Sequence, residues 1–410
     1  MVGGLLISRN TSAEGTAERI PAWIKYISVM PKDNALIYID SDSRADSFLD
    51  EIAGTREIAV DTEGASFHRF IDRIYLIQLS TASTSAIIDP LAVTKLDKLG
   101  KILEDPAVEV VFHDADYDLR LLHQDYGWHP TNIFDTRIAS QLLGLKSFGL
   151  AALLDQYFGV KLDKQHQRAD WSMRPLTEGM LAYAAQDTAH LLGLRDKLQA
   201  ELGRLGRIEW AREEFARLEG TRWQEEDSAE QFFKVKGARD LSRRELALLR
   251  ELVAWRDSVA AEMDRATFRV VGNEVLLSIA RTQPQSIQDL SGIKGMPRGI
   301  LERRGQEVLA AVRRGMSVPE DQLPRFPRGQ RWDKDPGLDS RVALLKNARD
   351  AAAARLSLDP GVLCSRERLE AIARKNPASA DEMCEVPGVR RWHAAEMGDA
   401  FLSALRGAKS

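Results

Sequence analysis

Two carboxylates one residue apart, at the end of an apolar run, are the first place where this chain could do chemistry. The stretch Ile58-Ala59-Val60-Asp61-Thr62-Glu63-Gly64 begins with small and β-branched residues, the pattern of a buried strand. Side chains at i and i+2 of a strand share a face, so Asp61 and Glu63 converge on one point. Burying like charges together loses hydration and adds repulsion, and a divalent cation relieves both. A strand that merely ends in polar residues at the surface would look the same. Three positions downstream weigh against that bland alternative. Val108-Glu109-Val110-Val111-Phe112-His113 reads as a strand feeding Asp114-Ala115-Asp116-Tyr117-Asp118-Leu119, and the spacing of Leu119, Leu122 and Tyr126 predicts a helix there. Asp114 or Asp116 is its expected N-cap, and Asp118 falls in the first turn, beyond the carboxyl end of a strand, where α/β sheets place ligands. Farther on, Tyr183 and Asp187 stand four apart in Leu181-Ala182-Tyr183-Ala184-Ala185-Gln186-Asp187 and share one helix face.

Asp61, Glu63, Asp118, Tyr183 and Asp187 together make an all-oxygen set. Four carboxylates converging at one sheet edge require cations, and a pair of Mg²⁺ or Mn²⁺ ions is the expected partner. Two such ions roughly 3.5–4 Å apart stabilise the attacking and leaving oxygens of an in-line phosphoryl displacement. Tyr183 is then placed to orient the attacking water through a hydrogen bond.

The elements that must position this set are legible around it. A short strand is expected over residues 35–39, a helix around Phe48, Leu49 and Ile52, two strands over 73–80 and 86–89 that meander from the acid-bearing strand, and a helix over 96–103. Residues 134–218 are mainly helical in pattern, broken by a polar segment over 161–175. The expected organisation is an N-terminal extension (1–33) without assigned function, a catalytic domain (34–218), a connector (219–240), a helical domain (241–315), a proline-rich linker (316–338) and a second helical domain (339–410). The two helical domains are an internal repeat. Ile279-Ala280-Arg281-Thr282-Gln283-Pro284-Gln285-Ser286 matches Ile372-Ala373-Arg374-Lys375-Asn376-Pro377-Ala378-Ser379, and Leu290, Ile293 and Gly295 match Met383, Val386 and Gly388 at the same offset.

In this order, Asp61-Thr62-Glu63, His113-Asp114-Ala115-Asp116-Tyr117-Asp118-Leu119 and Tyr183-Ala184-Ala185-Gln186-Asp187 resemble the three exonuclease motifs of the DEDD superfamily. The tyrosine four residues before the last acid resembles its DEDDy branch. Ala169-Asp170-Trp171-Ser172-Met173-Arg174-Pro175-Leu176, ahead of the third motif, and the helical repeats behind it narrow the resemblance to the ribonuclease D family, with each repeat similar to the HRDC domain. The resemblance runs over about residues 35–407. It implies an α/β ribonuclease H-like exonuclease domain, a mixed sheet flanked by helices, followed by two all-α HRDC-like domains. It also implies metal-dependent 3′-to-5′ hydrolysis of RNA ends, tRNA precursors foremost, with release of nucleoside 5′-monophosphates. By the same resemblance Asp61, Glu63, Asp118 and Asp187 are metal ligands, Tyr183 orients water, and Lys164 falls where relatives place a lysine at the terminal nucleotide. Asp114 departs from the pattern, because relatives often carry a smaller or neutral residue there; it is an extra acid that could cap the helix or act as an outer ligand.

Bulk properties narrow the remaining choices. The 410 residues are 44% hydrophobic and 29% charged, with a net charge of −4, which excludes a uniformly basic nucleic-acid coat but not a local basic groove. Cys364 and Cys384 form neither a zinc motif nor a disulfide framework and are expected to be buried free thiols. No apolar run is long enough for a membrane span and the first residues lack a signal-peptide pattern, so a cytoplasmic protein is expected, and a monomer. Phosphate-cradling glycine loops are absent, so no nucleotide cofactor is expected. His113 is either structural or a polar group on the substrate side. His166, Arg168 and Arg174 either contact phosphates or belong to a solvated loop. Arg239, Arg243, Arg244, Arg298, Arg303, Arg304, Arg313 and Arg314 could hold RNA through its phosphates or simply be exposed. The catalytic motifs do not read a 2′-hydroxyl, so a DNA 3′ exonuclease is the rival enzyme. A catalytically inactive RNA-binding scaffold is the rival from another class, and the intact acid set speaks against it.

Overall fold

The computed structural model describes residues 35–162, 165–225, 228–327 and 335–407. The N-terminal extension and Lys164 lie outside the described residues. β-Branched and small residues build the strands β1 (Ala35–Ile39), β2 (Glu57–Glu63), β3 (Leu76–Ser80), β4 (Thr84–Ile88), β5 (Glu109–Phe112) and β6 (Ile133–Asp135). Among the described residues they form one sheet in the order β1-β4-β3-β2-β5-β6. β2–β3 and β3–β4 are antiparallel, whereas β1–β4, β2–β5 and β5–β6 are parallel, so the sheet is mixed. The strand expected over 73–80 starts only at Leu76, because the Ile74 amide donates to the Asp125 carboxylate at 2.7 Å.

β2 lies inside the sheet with both faces covered. Ile58 and Val60 pack with the helices α1 (Asp42–Glu51), α2 (Asp97–Leu103) and α3 (Asp116–Tyr126), through Phe48, Leu99 and Leu122. Ala59 faces the other side, with α4 (Thr136–Leu142), α5 (Leu150–Phe158), α7 (Leu191–Arg204) and α8 (Ile208–Leu218), where Leu153, Leu194 and Leu198 are fully buried, and α6 (Glu178–Ala189) covers β2, β3 and β4 through a cluster of its own with Met180 and Leu181. Each such side chain contributes roughly 1.5–3 kcal/mol on burial. The strand is therefore held from both sides and cannot slip without exposing apolar surface.

Behind this domain, α9 (Arg243–Glu262), α10 (Thr267–Val270), α11 (Asn273–Thr282), α12 (Ile287–Ser291) and α13 (Arg298–Ser317) pack around a core of their own. Phe232, Val235 and Ala238 join that core, so part of the segment read as a connector is interior. The second set comprises α14 (Leu338–Leu356), α15 (Pro360–Leu363), α16 (Arg366–Lys375), α17 (Ala380–Cys384) and α18 (Arg391–Gly407). The sequence repeat extends to backbone detail. Gln283 and Asn376 end α11 and α16 with φ of 50° each, Ser286 and Ser379 cap α12 and α17, and Gly295 and Gly388 have φ of 85° and 84°. Left-handed backbone thus recurs at the same two places in both copies, at a helix end (Gln283, Asn376) and in the turn ahead of the last helix (Gly295, Gly388).

Both helical domains dock on the catalytic domain. The second shares its core with α4, α5, α7 and α8, and Trp392 stacks on Trp210 with ring centroids 4.8 Å apart. Arg207 bridges the two, donating to the carbonyls of Leu142 (2.7 Å) and Leu356 (2.6 Å). At Gly144, φ is 79° and a Cβ would strike the Ser357 carbonyl, so only glycine allows this approach. Cys364 is buried and Cys384 partly so, and both are free thiols. No helix among the described residues is long and apolar enough to cross a membrane.

Candidate active site

The carboxylates are delivered by β2, α3 and α6. Asp61 and Glu63 project from the end of β2 on the face that α6 covers. The Thr177 hydroxyl accepts from the Met180 amide at 3.2 Å and starts α6, which then presents Tyr183 and Asp187 one turn apart. One carboxylate oxygen each from Asp61, Glu63 and Asp187 lies within 4.8 Å of the other two. Asp118 arrives differently. It sits in the first turn of α3, on the opposite face of β2, and accepts from the Thr62 amide (3.0 Å) and the Thr62 hydroxyl (2.5 Å). The expected four-acid point is therefore three acids that converge, with the fourth alongside and tied to the strand.

Electrostatics follow from that geometry. Burial first, then the charges of Asp118, Asp187 and Glu63, raise the Asp61 carboxyl well above the ordinary carboxylate range. Glu63 is likewise raised well above it by burial and by Asp187 and Asp118. Burial lifts Asp118 to about 7, although both bonds from Thr62 oppose the rise. Asp187 is also lifted to about 7 by burial, against a hydrogen bond from Tyr183. The Tyr183 phenol is pushed far up by burial and by Asp187, Glu63 and Asp61, so it stays a neutral donor. A set of closely spaced hard oxygens, each unfavourable as an anion, fits a divalent cation of the Mg²⁺ or Mn²⁺ kind.

These residues line a cleft of about 730 Å³ whose walls include His113, Arg137, Lys146, Phe148 and Gln167. The His113 Nδ1 lies 2.9 Å from the Thr136 hydroxyl, and burial together with Arg137 pushes its imidazole down to about 4, so it is neutral at ordinary pH. Neither Asp114 nor Asp116 caps α3, contrary to expectation. Asp114 has φ of 69° and pairs with Arg137, while Asp116 pairs with Arg120 at 2.7 Å. Asp135 at the end of β6 supplies the missing acceptor, taking the amides of Ala115 (2.8 Å) and Ile138 (2.9 Å) and so fixing the starts of α3 and α4 together. Arg174 does not face the cleft. Its guanidinium is consumed by the Asp89 carboxylate (2.5 and 2.7 Å) and by the carbonyls of Trp171, Met173 and Tyr75, all at 2.8 Å, which leaves nothing for a phosphate. His166 lies edge-on to Tyr183 at 6.3 Å. Sequence reasoning missed Thr62, Asp135, Arg137, Lys146 and Phe148. Only Thr62 carried a signal, as the hydroxyl residue framed by the two acids.

Residues 36–203 match the family model described as a 3′-5′ exonuclease, and residues 245–312 and 339–405 each match the HRDC domain. Ribonuclease D of Granulibacter bethesdensis is 32% identical over 85% of this chain and 87% of its own length. The chain belongs to the ribonuclease D family. Ribonuclease D of Escherichia coli is 35% identical over 70% of this chain and 76% of its own length. The crystal structure of the Escherichia coli enzyme, described as an exoribonuclease involved in structured RNA processing, superposes with a TM-score of 0.70 at 28% identity, covering 90% of this chain and 98% of that one. This ribonuclease D-family chain is a 3′-to-5′ exoribonuclease, and its acid-lined cleft lies inside the matched exonuclease region.

Proposed function

We propose that the protein trims the single-stranded 3′ ends of structured RNAs such as tRNA precursors, as a monomer, releasing nucleoside 5′-monophosphates with two divalent cations, Mg²⁺ or Mn²⁺. The observation that carries this is the convergence of Asp61, Glu63 and Asp187 within 4.8 Å, with Asp118 beside them. Asp61, Glu63 and Asp187 would hold one ion, and Asp118 with Asp61 would hold a second. Bound there, the ions supply charge neutralisation for an in-line phosphoryl displacement and a lowered pKa for water. Tyr183, neutral and bonded to Asp187, holds its hydroxyl toward the site where a water attacks and orients that water. Thr62 positions Asp118 by two hydrogen bonds, so the acid cannot swing away when its neighbours change charge. His113, kept neutral, offers the substrate a polar group that adds no charge. Lys164 is assigned to the terminal nucleotide by the family resemblance.

Matched 3′-labelled RNA and DNA single strands, incubated with the purified protein in Mg²⁺, in Mn²⁺ and in EDTA, test the reading. Metal-dependent release of mononucleotides from RNA is expected, and loss of that release in Asp61→Asn with an unchanged fold. Equal or faster attack on DNA would replace the RNA assignment with the DNA exonuclease.

A further inference from the structure

The arginines that the sequence singled out in the first helical domain are largely occupied. Arg243 and Arg244 bond the carbonyls that end α13 and the segment behind it, and Arg298, Arg304 and Arg314 are in ion pairs with Glu302, Glu262 and Glu251. A different cationic surface stands where that domain meets the catalytic loops. Phe67, Phe70 and Phe268 are 46%, 37% and 53% exposed there, although phenylalanine is normally among the most buried residues. Phe67 comes from the loop after β2 and Phe268 from α10, and their rings meet edge-to-face at 6.4 Å across the domain boundary. The guanidinium of Arg168 lies 5.3 Å over the Phe67 ring and that of Arg269 lies 6.0 Å from the Phe268 ring. Arg265 is exposed beside them. Among the described residues none of these three arginines has a carboxylate within ion-pair distance, whereas neighbouring Arg69 is taken by Asp264.

We infer that Phe67, Phe70 and Phe268 with Arg168, Arg265 and Arg269 form a stacking platform for unpaired RNA upstream of the 3′ end. This rests on the RNA reading of the cleft. Aromatic faces interleaved with unneutralised cations match a strand of bases and phosphates, and fit neither a lipid nor a wholly apolar partner. The platform is also continuous with the cleft. Its loop begins at Gly64, directly after Glu63, and Tyr117 of the cleft wall donates to Asp72 of the same loop at 2.6 Å. The loop is fixed before any RNA arrives. The Ala266 amide donates to the His68 carbonyl at 3.2 Å, Arg269 donates to the Phe67 carbonyl, and Arg69 donates to the Ser172 hydroxyl at 2.6 Å. A surface ordered in advance binds without the cost of ordering it.

The test uses the full chain and a fluorescent, unstructured RNA of about twenty nucleotides, read by anisotropy in EDTA so that hydrolysis plays no part. Phe67→Ala/Phe268→Ala should weaken binding about tenfold or more, from the loss of stacked bases. Phe67→Tyr/Phe268→Tyr should restore it, because the rings remain. Arg265→Ala should lower the salt dependence of binding by about one phosphate contact. In Mn²⁺, hydrolysis of a trinucleotide, too short to leave the cleft, should keep its kcat/KM in all three variants. Unchanged RNA affinity in the alanine pair overturns the platform, as does a patch whose removal instead turns a sedimenting dimer into a monomer. Failure of the wild type to hydrolyse RNA would count against the cleft assignment alone, since the anisotropy result stands without catalysis.

Discussion

Asp187→Asn should make the metal-free protein more stable, at the expense of its activity. Burial holds the Asp187 carboxyl at about 7, against an ordinary value of 3.8. A group whose pKa is raised by folding binds more protons in the folded than in the unfolded state, so stability is full below the unfolded value and falls as pH rises through the folded one. Above pH 7 that shift corresponds to roughly 4 kcal/mol of destabilisation, at about 1.4 kcal/mol per unit. The site opens into the cleft, where solvent screens the charges, so an effect of about 1–2 kcal/mol is expected. For a cooperative unit of this size, that is a rise of roughly 2–6 °C in Tm. Thermal unfolding in EDTA should show the gain at about pH 8 and lose most of it near pH 5, where the wild-type carboxyl is protonated in the folded state. Saturating Mn²⁺ should raise the wild-type Tm and leave the variant nearly unmoved. An equal or lower Tm for Asp187→Asn in EDTA at the higher pH would refute the picture of like charges strained together in the absence of metal.

Tyr183→Phe should lower kcat on the order of a hundredfold while RNA affinity in EDTA stays put, and a pure affinity loss would show that the hydroxyl does not orient the water. Thr62→Val keeps the shape of the strand but removes the hydroxyl that holds Asp118, so activity at fixed Mn²⁺ should drop about ten- to a hundredfold and recover in part at higher metal concentration. Metal-independent loss would mean that Thr62 acts on something other than the acid. Gly144→Ala places a Cβ against the Ser357 carbonyl with φ of 79°, and should cost about 1–3 kcal/mol in urea unfolding with little change in trinucleotide hydrolysis. Arg174→Lys should destabilise the fold and not weaken RNA binding, because the arginine is bonded to Asp89 and to backbone carbonyls.

The sequence by itself determined the reactive inventory, because its signals are local. Strand alternation put Asp61 and Glu63 on one face, helical spacing put Tyr183 one turn from Asp187, and residues matching at one constant offset showed two copies of one helical domain. Local rules also explain the misses. Asp114 and Asp116 have the right chemistry for an N-cap, yet Asp135, from a strand distant in the chain, reaches the Ala115 amide first. Arg174 sits in the right motif for a phosphate contact, yet the buried Asp89 claims it across the fold. Only the tertiary structure decided that Asp118 approaches from the far face of β2 and is anchored by Thr62, and that Lys146 and Phe148 form a wall of the cleft. It alone decided that the phenylalanines of a catalytic loop and of a helical domain meet across their boundary. The physical reason is common to all of these. A carboxylate, a guanidinium or an aromatic ring has several partners open to it in the unfolded chain, and packing of distant segments selects among them.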